Sequence, residues 1–197
     1  ALIGGDKVGG TCLHRGCIPT KAYLRAAETA EAVRESAKFG VNSTFNGIDM
    51  AQVGAYRDSV ISGLYKGLRG LLKSRKVELI SGWGHLADAN TIEVGGQRIT
   101  GRNIVLATGS YSRSIPGLDI GGRIISSDQA LQMNWVPSSV VILGGGVIGL
   151  EFASVWRSFG AEVTIIEALP HLANNEDEAI SKQLERAYRK RGIKFHT

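Results

Sequence analysis

The chain has 197 residues, 43% hydrophobic and 21% charged, with 23 Lys and Arg against 18 Asp and Glu for a net charge of +5. These proportions are ordinary for a soluble globular protein and leave room for one domain or two small ones. No apolar run reaches the roughly 18 residues of a membrane span, and no charged-then-apolar leader opens the chain, so a cytoplasmic protein is expected.

Ala1-Leu2-Ile3 reads as a strand already in progress and Phe195-His196-Thr197 as another beginning, which predicts an internal piece of a longer protein. A segment rich in Gly and Cys covers 9–18. From Pro19 to about Ala37 the pattern is helical, with Pro19 suited to a first turn. A second long helix is predicted from about Ile48 to Lys73, where Met50, Val53, Val60, Ile61, Leu64, Leu68 and Leu71 recur at three and four. Its Gly54, Gly63, Gly67 and Gly70 cost helix propensity and fit a closely packed neighbour.

Val77–Ile80 reads as a strand and Gly82-Trp83-Gly84 as a turn. Residues 91–94 and 97–99 alternate around Gly95-Gly96, a hairpin signal. Asn103 to Ala107 reads as a buried strand ending in Thr108-Gly109-Ser110, and a looser stretch with Pro116-Gly117 and Gly121-Gly122 follows. After Pro137 the pattern becomes strand, glycine turn, helix, strand. Two α/β units joined within 111–137 are therefore expected. Arg186, Arg189, Lys190 and Arg191 close a last predicted helix, where cations complement the dipole; that reading is preferred to a nucleic-acid patch.

The glycine turn carries the first chemical signal. Ser139-Val140-Val141-Ile142-Leu143 is an apolar strand, and Gly144, Gly146 and Gly149 follow it as G-x-G-x-x-G. A helix runs from about Val147 to Phe159, and the next strand, Glu162 to Ile166, ends in Glu167, 18 residues after Gly149. In such a unit the first glycine makes the tight turn, the second lets backbone approach a pyrophosphate, and the third lets helix and strand pack closely. The helix N-terminus offers free N–H groups to the phosphates. Glu167 can accept both hydroxyls of an adenosine ribose and would repel a 2′-phosphate, so NAD is favoured over NADP.

The second signal is Gly9-Gly10-Thr11-Cys12-Leu13-His14-Arg15-Gly16-Cys17-Ile18-Pro19-Thr20-Lys21. Two cysteines are too few for a disulfide scaffold, and their spacing suits redox chemistry in a reducing compartment. Regular helical spacing leaves Cα atoms five apart beyond the ~7 Å a disulfide tolerates, but Gly16 and Pro19 permit a distortion. A bond closing so short a loop gains little chain entropy, so a reactive pair explains the spacing better than stability does. Thiolates near a helix N-terminus and cations are stabilised, and Arg15 and Lys21 are close in sequence. Two buried structural thiols, or a two-ligand fragment of a zinc site, are the competing readings. No second cysteine pair supports zinc, and no metal site is expected.

Gly9 to Lys21 is similar to the redox-disulfide signature of the pyridine nucleotide–disulfide oxidoreductases, and Cys-Leu-His-Arg-Gly-Cys-Ile-Pro-Thr-Lys resembles the dihydrolipoamide dehydrogenase branch. Ala107-Thr108-Gly109-Ser110 resembles that family's second flavin-contact motif, and Gly144-Gly145-Gly146-Val147-Ile148-Gly149-Leu150-Glu151 its NAD fingerprint. The resemblance implies an α/β fold of two Rossmann-like dinucleotide-binding units, for FAD and NAD, both truncated, with a small antiparallel β-hairpin insertion. The FAD-binding domain would cover 1–118, without its first βα unit, and the NAD-binding domain 119–197. It further implies that Cys12 is the interchange thiol, Cys17 the thiol facing the flavin, Lys21 a neighbour of flavin N5, and Glu151 its partner beside the nicotinamide. Gly10, Thr11, Gly84, Thr108, Gly109 and Ser110 would touch FAD. The parent would oxidise protein-bound dihydrolipoamide through a Cys12–Cys17 disulfide and FAD, reducing NAD⁺. Its partner would be the lipoyl domain of a 2-oxo acid dehydrogenase or glycine cleavage complex, and it would be a homodimer.

The resemblance departs in three places. The glycine turn of the first flavin fingerprint would lie upstream of residue 1, Gly4 stands where the family usually has an acid, and the C-terminal dimer domain with its His–Glu pair would lie beyond residue 197. The isolated chain is therefore expected neither to hold FAD nor to act alone. The alternatives are a related reductase of the mercuric or glutathione type, or a non-catalytic NAD-binding fragment. His14 and His85 are expected to be surface or packing residues, and Trp83, Trp135 and Trp156, which lack stacking periodicity, packing residues.

Overall fold

The computed structural model describes all 197 residues. In chain order the elements are β1 (Leu2–Gly4), α1 (Gly10–Arg15), α2 (Cys17–Glu35), a 3-10 turn (Ser36–Phe39), α3 (Met50–Ser74), β2 (Leu79–Ser81), β3 (His85–Asp88), β4 (Thr91–Val94), β5 (Gln97–Thr100), α4 (Ser127–Ala130), β6 (Ser139–Leu143), α5 (Val147–Phe159), β7 (Glu162–Ile166), α6 (Glu178–Lys190) and β8 (Lys194–His196). None of the helices is long and apolar enough to cross a membrane. The chain divides into two compact units: Ala1–Ile18 with Ser59–Ser126, and Pro19–Asp58 with Ser127–Thr197. Division by packing thus interleaves the halves of the chain, whereas the expected division by cofactor runs 1–118 and 119–197.

In the first unit β1 and β2 pair in parallel, Ile3 opposite Ile80. A three-stranded antiparallel sheet, β3-β4-β5, accompanies them. Its β4–β5 turn is the expected hairpin, and Gly95 and Gly96 have φ of 55° and 77°, the double positive φ of a primed turn. The strand β3, which completes that sheet, is not evident in the sequence pattern. Residues 103–107, expected as a buried strand, join no ladder, and Val105 and Leu106 are 86% and 69% exposed. An apolar run becomes a strand only where a neighbour takes its N–H and C=O groups, and the β1–β2 pair does not extend to it.

The helix α3 forms as its periodicity predicts, but its glycines do not admit a neighbour. A Cβ added at Gly63, Gly67 or Gly70 would meet no atom within 4 Å. Their cost to helix propensity is therefore not offset by close packing in this structure.

The second unit is built on a parallel sheet in the order β6-β7-β8. Val163 and Ile165 of β7 are buried, and α5 buries Leu150, Phe152, Ala153, Val155, Trp156 and Phe159. Burial on several sides follows from the near-continuous apolar sequence of α5: it covers the sheet and is itself covered. Part of that cover comes from α2, whose Tyr23 ring lies 6.4 Å from Phe159. The Tyr23 hydroxyl donates to the Leu131 carbonyl at 2.9 Å. The buried Arg57 guanidinium of α3 donates to the same oxygen, so one carbonyl just after α4 anchors two helices. Asp177 caps α6 by accepting the Ala179 N–H at 2.8 Å. The expected packing role holds for Trp156, 2% exposed, but Trp83 and Trp135 are 77% and 58% exposed; neither lies in an apolar stripe that could carry it inward.

Candidate functional site

Within the second unit, β6 ends at Leu143 and the chain turns sharply at Gly144, whose φ of 106° is left-handed and favours glycine over residues with a Cβ. The Gly144 N–H donates to the Ile166 carbonyl at 2.8 Å, fastening the turn to the end of β7. Gly149 is glycine for a different reason: a Cβ there would stand 2.1 Å from the Gly144 carbonyl oxygen. Gly146 differs again, since a Cβ there would meet nothing within 4 Å. The backbone at Gly146 faces open space, as a ligand that must approach it requires. Gly146 is also the N-cap of α5, and no side chain caps the helix. The first N–H groups of α5, starting at Val147 and Ile148, therefore carry the positive end of the dipole without a side-chain acceptor.

Glu167 is fixed at the end of β7. One carboxylate oxygen accepts the Gly145 N–H at 2.6 Å, the other the Leu169 N–H at 2.9 Å. Chiefly the Gly145 N–H, with those of Leu169 and Ala168 and against a desolvation that opposes them, holds this carboxyl below its ordinary value. Glu167 is therefore an oriented anion, and each oxygen keeps further acceptor capacity. The loop after it is pinned as well. Leu172 is fully buried against Gly145, and the Ala173 N–H donates to the Gly145 carbonyl at 2.8 Å. Ala173 holds a φ of 51°, a strained conformation for a residue with a Cβ. Sequence reasoning missed Leu172 and Ala173, because no periodicity marks a single leucine inside a polar loop.

Lys21 of α2 donates to Glu151 of α5, so this expected pair is joined across 130 residues of sequence. Their side chains are 59% and 20% exposed. Beside them a cavity of about 370 Å³ is lined by Gly146, Val147, Glu151, Ser154, Asn175 and Tyr188, among others. The open Gly146 backbone, the uncapped α5 N-terminus, the oriented Glu167 and this cavity fit a dinucleotide.

In the first unit Gly10, Thr11 and Cys12 lie on α1, and Gly16, with φ −135° and ψ −112°, separates α1 from α2, which starts at Cys17. The break falls where the sequence asks for a distortion. Cys12 and Cys17 stand as exposed thiols, which removes the reading as buried structural cysteines. The expected bond between them is not formed in this structure. His14 packs as expected: its ring meets Tyr65 edge-on at 5.2 Å, with Nε2 2.9 Å from the Val8 carbonyl. Gly84 is explained by packing, since a Cβ there would lie 2.9 Å from Ile92 Cγ2. Thr108, Gly109 and Ser110 lie on exposed, irregular chain. No group of three or more His, Cys, Asp or Glu side chains is arranged to hold a metal ion.

A parallel β-α-β unit with this turn, this helix end and an oriented acid after its second strand defines a dinucleotide-binding protein. Residues 1–197 match the family described as pyridine nucleotide-disulphide oxidoreductase, and the chain belongs to that family. It is 37% identical to the dihydrolipoyl dehydrogenase of Bacillus subtilis (strain 168), covering all of this chain and 44% of that protein. It is 40% identical to the mitochondrial dihydrolipoyl dehydrogenase of Dictyostelium discoideum, covering 96% and 40%. Among solved structures, a Cu(II) complex of the HOCl-induced flavoprotein disulfide reductase RclA from Escherichia coli superposes with a TM-score of 0.76 at 27% identity, over 98% of this chain and 42% of that one. The chain thus spans less than half the length of these relatives.

Proposed function

We propose that the protein to which this chain belongs is a dihydrolipoyl dehydrogenase, oxidising protein-bound dihydrolipoamide to lipoamide with reduction of NAD⁺. The observation that carries this reading is the pair of exposed thiols on either side of the Gly16 break, in a chain that also holds a complete dinucleotide fingerprint. When bound, FAD and NAD⁺ supply the two-electron chemistry that returns the thiol pair to its disulfide. Gly10, Thr11, Lys21, Gly84, Thr108, Gly109 and Ser110 would hold FAD. Gly144, Gly145, Gly146, Val147, Ile148, Gly149, Glu151 and Glu167 would hold NAD⁺. In this reading 1–118 is the FAD-binding part and 119–197 the NAD-binding part.

The chain's own chemistry is thiol–disulfide exchange. A thiolate of the substrate attacks Cys12 Sγ of the Cys12–Cys17 disulfide, forming a mixed disulfide and releasing Cys17 as thiolate. The second substrate thiol then attacks the substrate sulfur of that mixed disulfide. A cyclic disulfide leaves, Cys12 is released, and two electrons and two protons have passed from substrate to the cysteine pair. The Lys21–Glu151 pair positions the faces of the two cofactors, and Glu167 selects NAD⁺ by accepting ribose hydroxyls. The substrate carrier would be a lipoyl domain of a 2-oxo acid dehydrogenase or glycine cleavage complex, and the working enzyme a homodimer in a reducing compartment such as the cytoplasm.

The test uses the whole protein. NAD⁺ is expected to be strongly preferred to NADP⁺ in steady-state kinetics. Glu167→Ala should weaken NAD⁺ about tenfold or more, since a hydrogen bond to a charged acceptor contributes about 1.5–3 kcal/mol. Cys12→Ser should abolish dithiol oxidation. Equal use of both nucleotides, or a Cys12→Ser enzyme that still oxidises dihydrolipoamide, would refute the reading.

A further inference from the structure

The densest uncompensated charge of the molecule lies on the second half of α3 and the turn after it. Lys66, Arg69, Lys73, Arg75 and Lys76 are all exposed, with no Asp or Glu between Asp58 and Glu78. None of the five enters an ion pair, whereas Arg15 and Arg98 of the same unit do. Lys66, Arg69 and Lys73 recur at three and four and form one stripe. Leu64 and Leu71, 48% and 54% exposed, lie on the opposite side. The stripe is tied to the thiol segment inside one unit. Arg69 lies over the Tyr65 ring, 5.9 Å from its centroid, and Tyr65 meets His14, two residues from Cys12.

Resting on the function proposed above, we infer that this stripe is the docking surface for the protein that carries the dithiol, and that the docking face of that partner is acidic. A dithiol on a flexible tether gains little orientation from its own small apolar surface. An unpaired row of cations in the unit that holds the thiols supplies what it lacks, a long-range field that raises the encounter rate and suppresses wrong partners. Charge complementarity identifies the partner: five cations without a counter-ion match a surface rich in Asp and Glu. Of the anionic partners, an acidic protein fits better than nucleic acid, because no exposed aromatic side chains interleave the stripe to stack bases.

The experiment compares one substrate in two forms on the whole flavin-containing enzyme: free dihydrolipoamide, and a dihydrolipoyl group on an intact acidic lipoyl domain. The double variant Lys66→Glu/Lys73→Glu should lower kcat/KM for the protein-borne form about tenfold at ionic strength near ~0.01 M, where the Debye length is ~30 Å. The two enzymes should converge near ~1 M salt, where it is ~3 Å. Free dihydrolipoamide should be oxidised equally by both. Flavin content reports folding, and Lys66→Gln/Lys73→Gln should show the same pattern at smaller size. Binding of the lipoyl domain without turnover, followed by NMR shift perturbation, is a readout independent of activity. A wild type that oxidises neither form would defeat the enzymatic reading, whereas shift changes lost in the variant would still support the surface. Equal losses on both substrates, losses insensitive to salt, or a variant that loses only RNA or anionic-vesicle binding would overturn the docking surface.

Discussion

In the unit that holds the glycine turn, twelve Lys and Arg stand against thirteen Asp and Glu, a net of −1; in the unit that holds the thiols, eleven stand against five, a net of +6. The positive charge of the chain is therefore a property of one unit. Burial divides the same way. Every residue of the main apolar cluster, from Tyr23 to Ile193, belongs to the fingerprint unit, and only Leu13 and Val94 are buried apolar residues of the other. A turn that must present a backbone and a carboxylate to a dinucleotide within fractions of an ångström needs a rigid scaffold. In the function proposed above the thiol pair has to meet a partner's dithiol, which needs access and a field to draw the partner in.

The largest expected effect tests the contrast in burial with one residue type. Trp156, 2% exposed, is wedged against Phe159 with ring centroids 6.1 Å apart. Trp156→Ala should cost about 3–5 kcal/mol of stability. Trp83, 77% exposed, belongs to the thiol unit, and Trp83→Ala should cost no more than about 1 kcal/mol. Urea unfolding of the two variants measures both. If Trp83→Ala destabilises as much as Trp156→Ala, the thiol unit depends on packing that its exposure does not reveal, and the comparison fails.

A smaller effect separates two glycines three residues apart. In Gly149→Ala the methyl would press on the Gly144 carbonyl, 2.1 Å away. That overpacking should cost about 1–3 kcal/mol and take NAD⁺ binding with it. In Gly146→Ala the methyl enters open space. Stability should fall by only about 0.5–1 kcal/mol, the preference of an N-cap for glycine over alanine, while NAD⁺ affinity falls because the methyl occupies the approach of the pyrophosphate. Thermal melts paired with NAD⁺ titrations distinguish the cases. A Gly146→Ala protein that binds NAD⁺ normally would show that the open backbone is not where the dinucleotide sits.

The same contrast explains what the sequence makes legible. The fingerprint unit is local: strand, turn, helix and second strand lie within 139–167, so hydrophobic period and glycine spacing suffice to place Gly144, Gly146, Gly149 and Glu167. The Lys21–Glu151 pair is not local, and its two members become partners only through the resemblance. In the thiol unit the signals come from residue type without partners. Asn103 to Ala107 has the composition of a buried strand and no strand beside it. The glycines of α3 suggest a close neighbour that is not there. Trp83 reads as packing because aromatic residues usually are. Each error arises where a pattern specifies what a segment could bury, while burial depends on whether another segment arrives.

The smallest expected effect concerns protons, and it again separates the units. Glu167 joins the glycine turn to the loop after β7 through the Gly145 and Leu169 N–H groups, and its carboxyl titrates below the ordinary 4.5. A carboxyl depressed by folding stabilises the native state above its unfolded value and loses that contribution as pH falls through the folded one. The stability difference between wild type and Glu167→Gln should therefore be constant above about pH 5 and shrink steadily below pH 4.5. The shift stays modest, because the carboxyl is only partly withdrawn from water and solvent screens it. Asp88 in the hairpin of the thiol unit is also held low, first by the Asn90 N–H, but it is exposed on a sheet with little core behind it. Asp88→Asn should leave the acid unfolding of the fingerprint unit unchanged. Urea midpoints from pH 3 to 7, read from buried Trp156 after replacement of Trp83 and Trp135 by Phe, follow that unit alone. If the Glu167→Gln difference is flat across this range, the carboxylate is not the proton-linked clasp between turn and loop, and the rigidity of the fingerprint rests on the Leu172 and Ala173 contacts to Gly145.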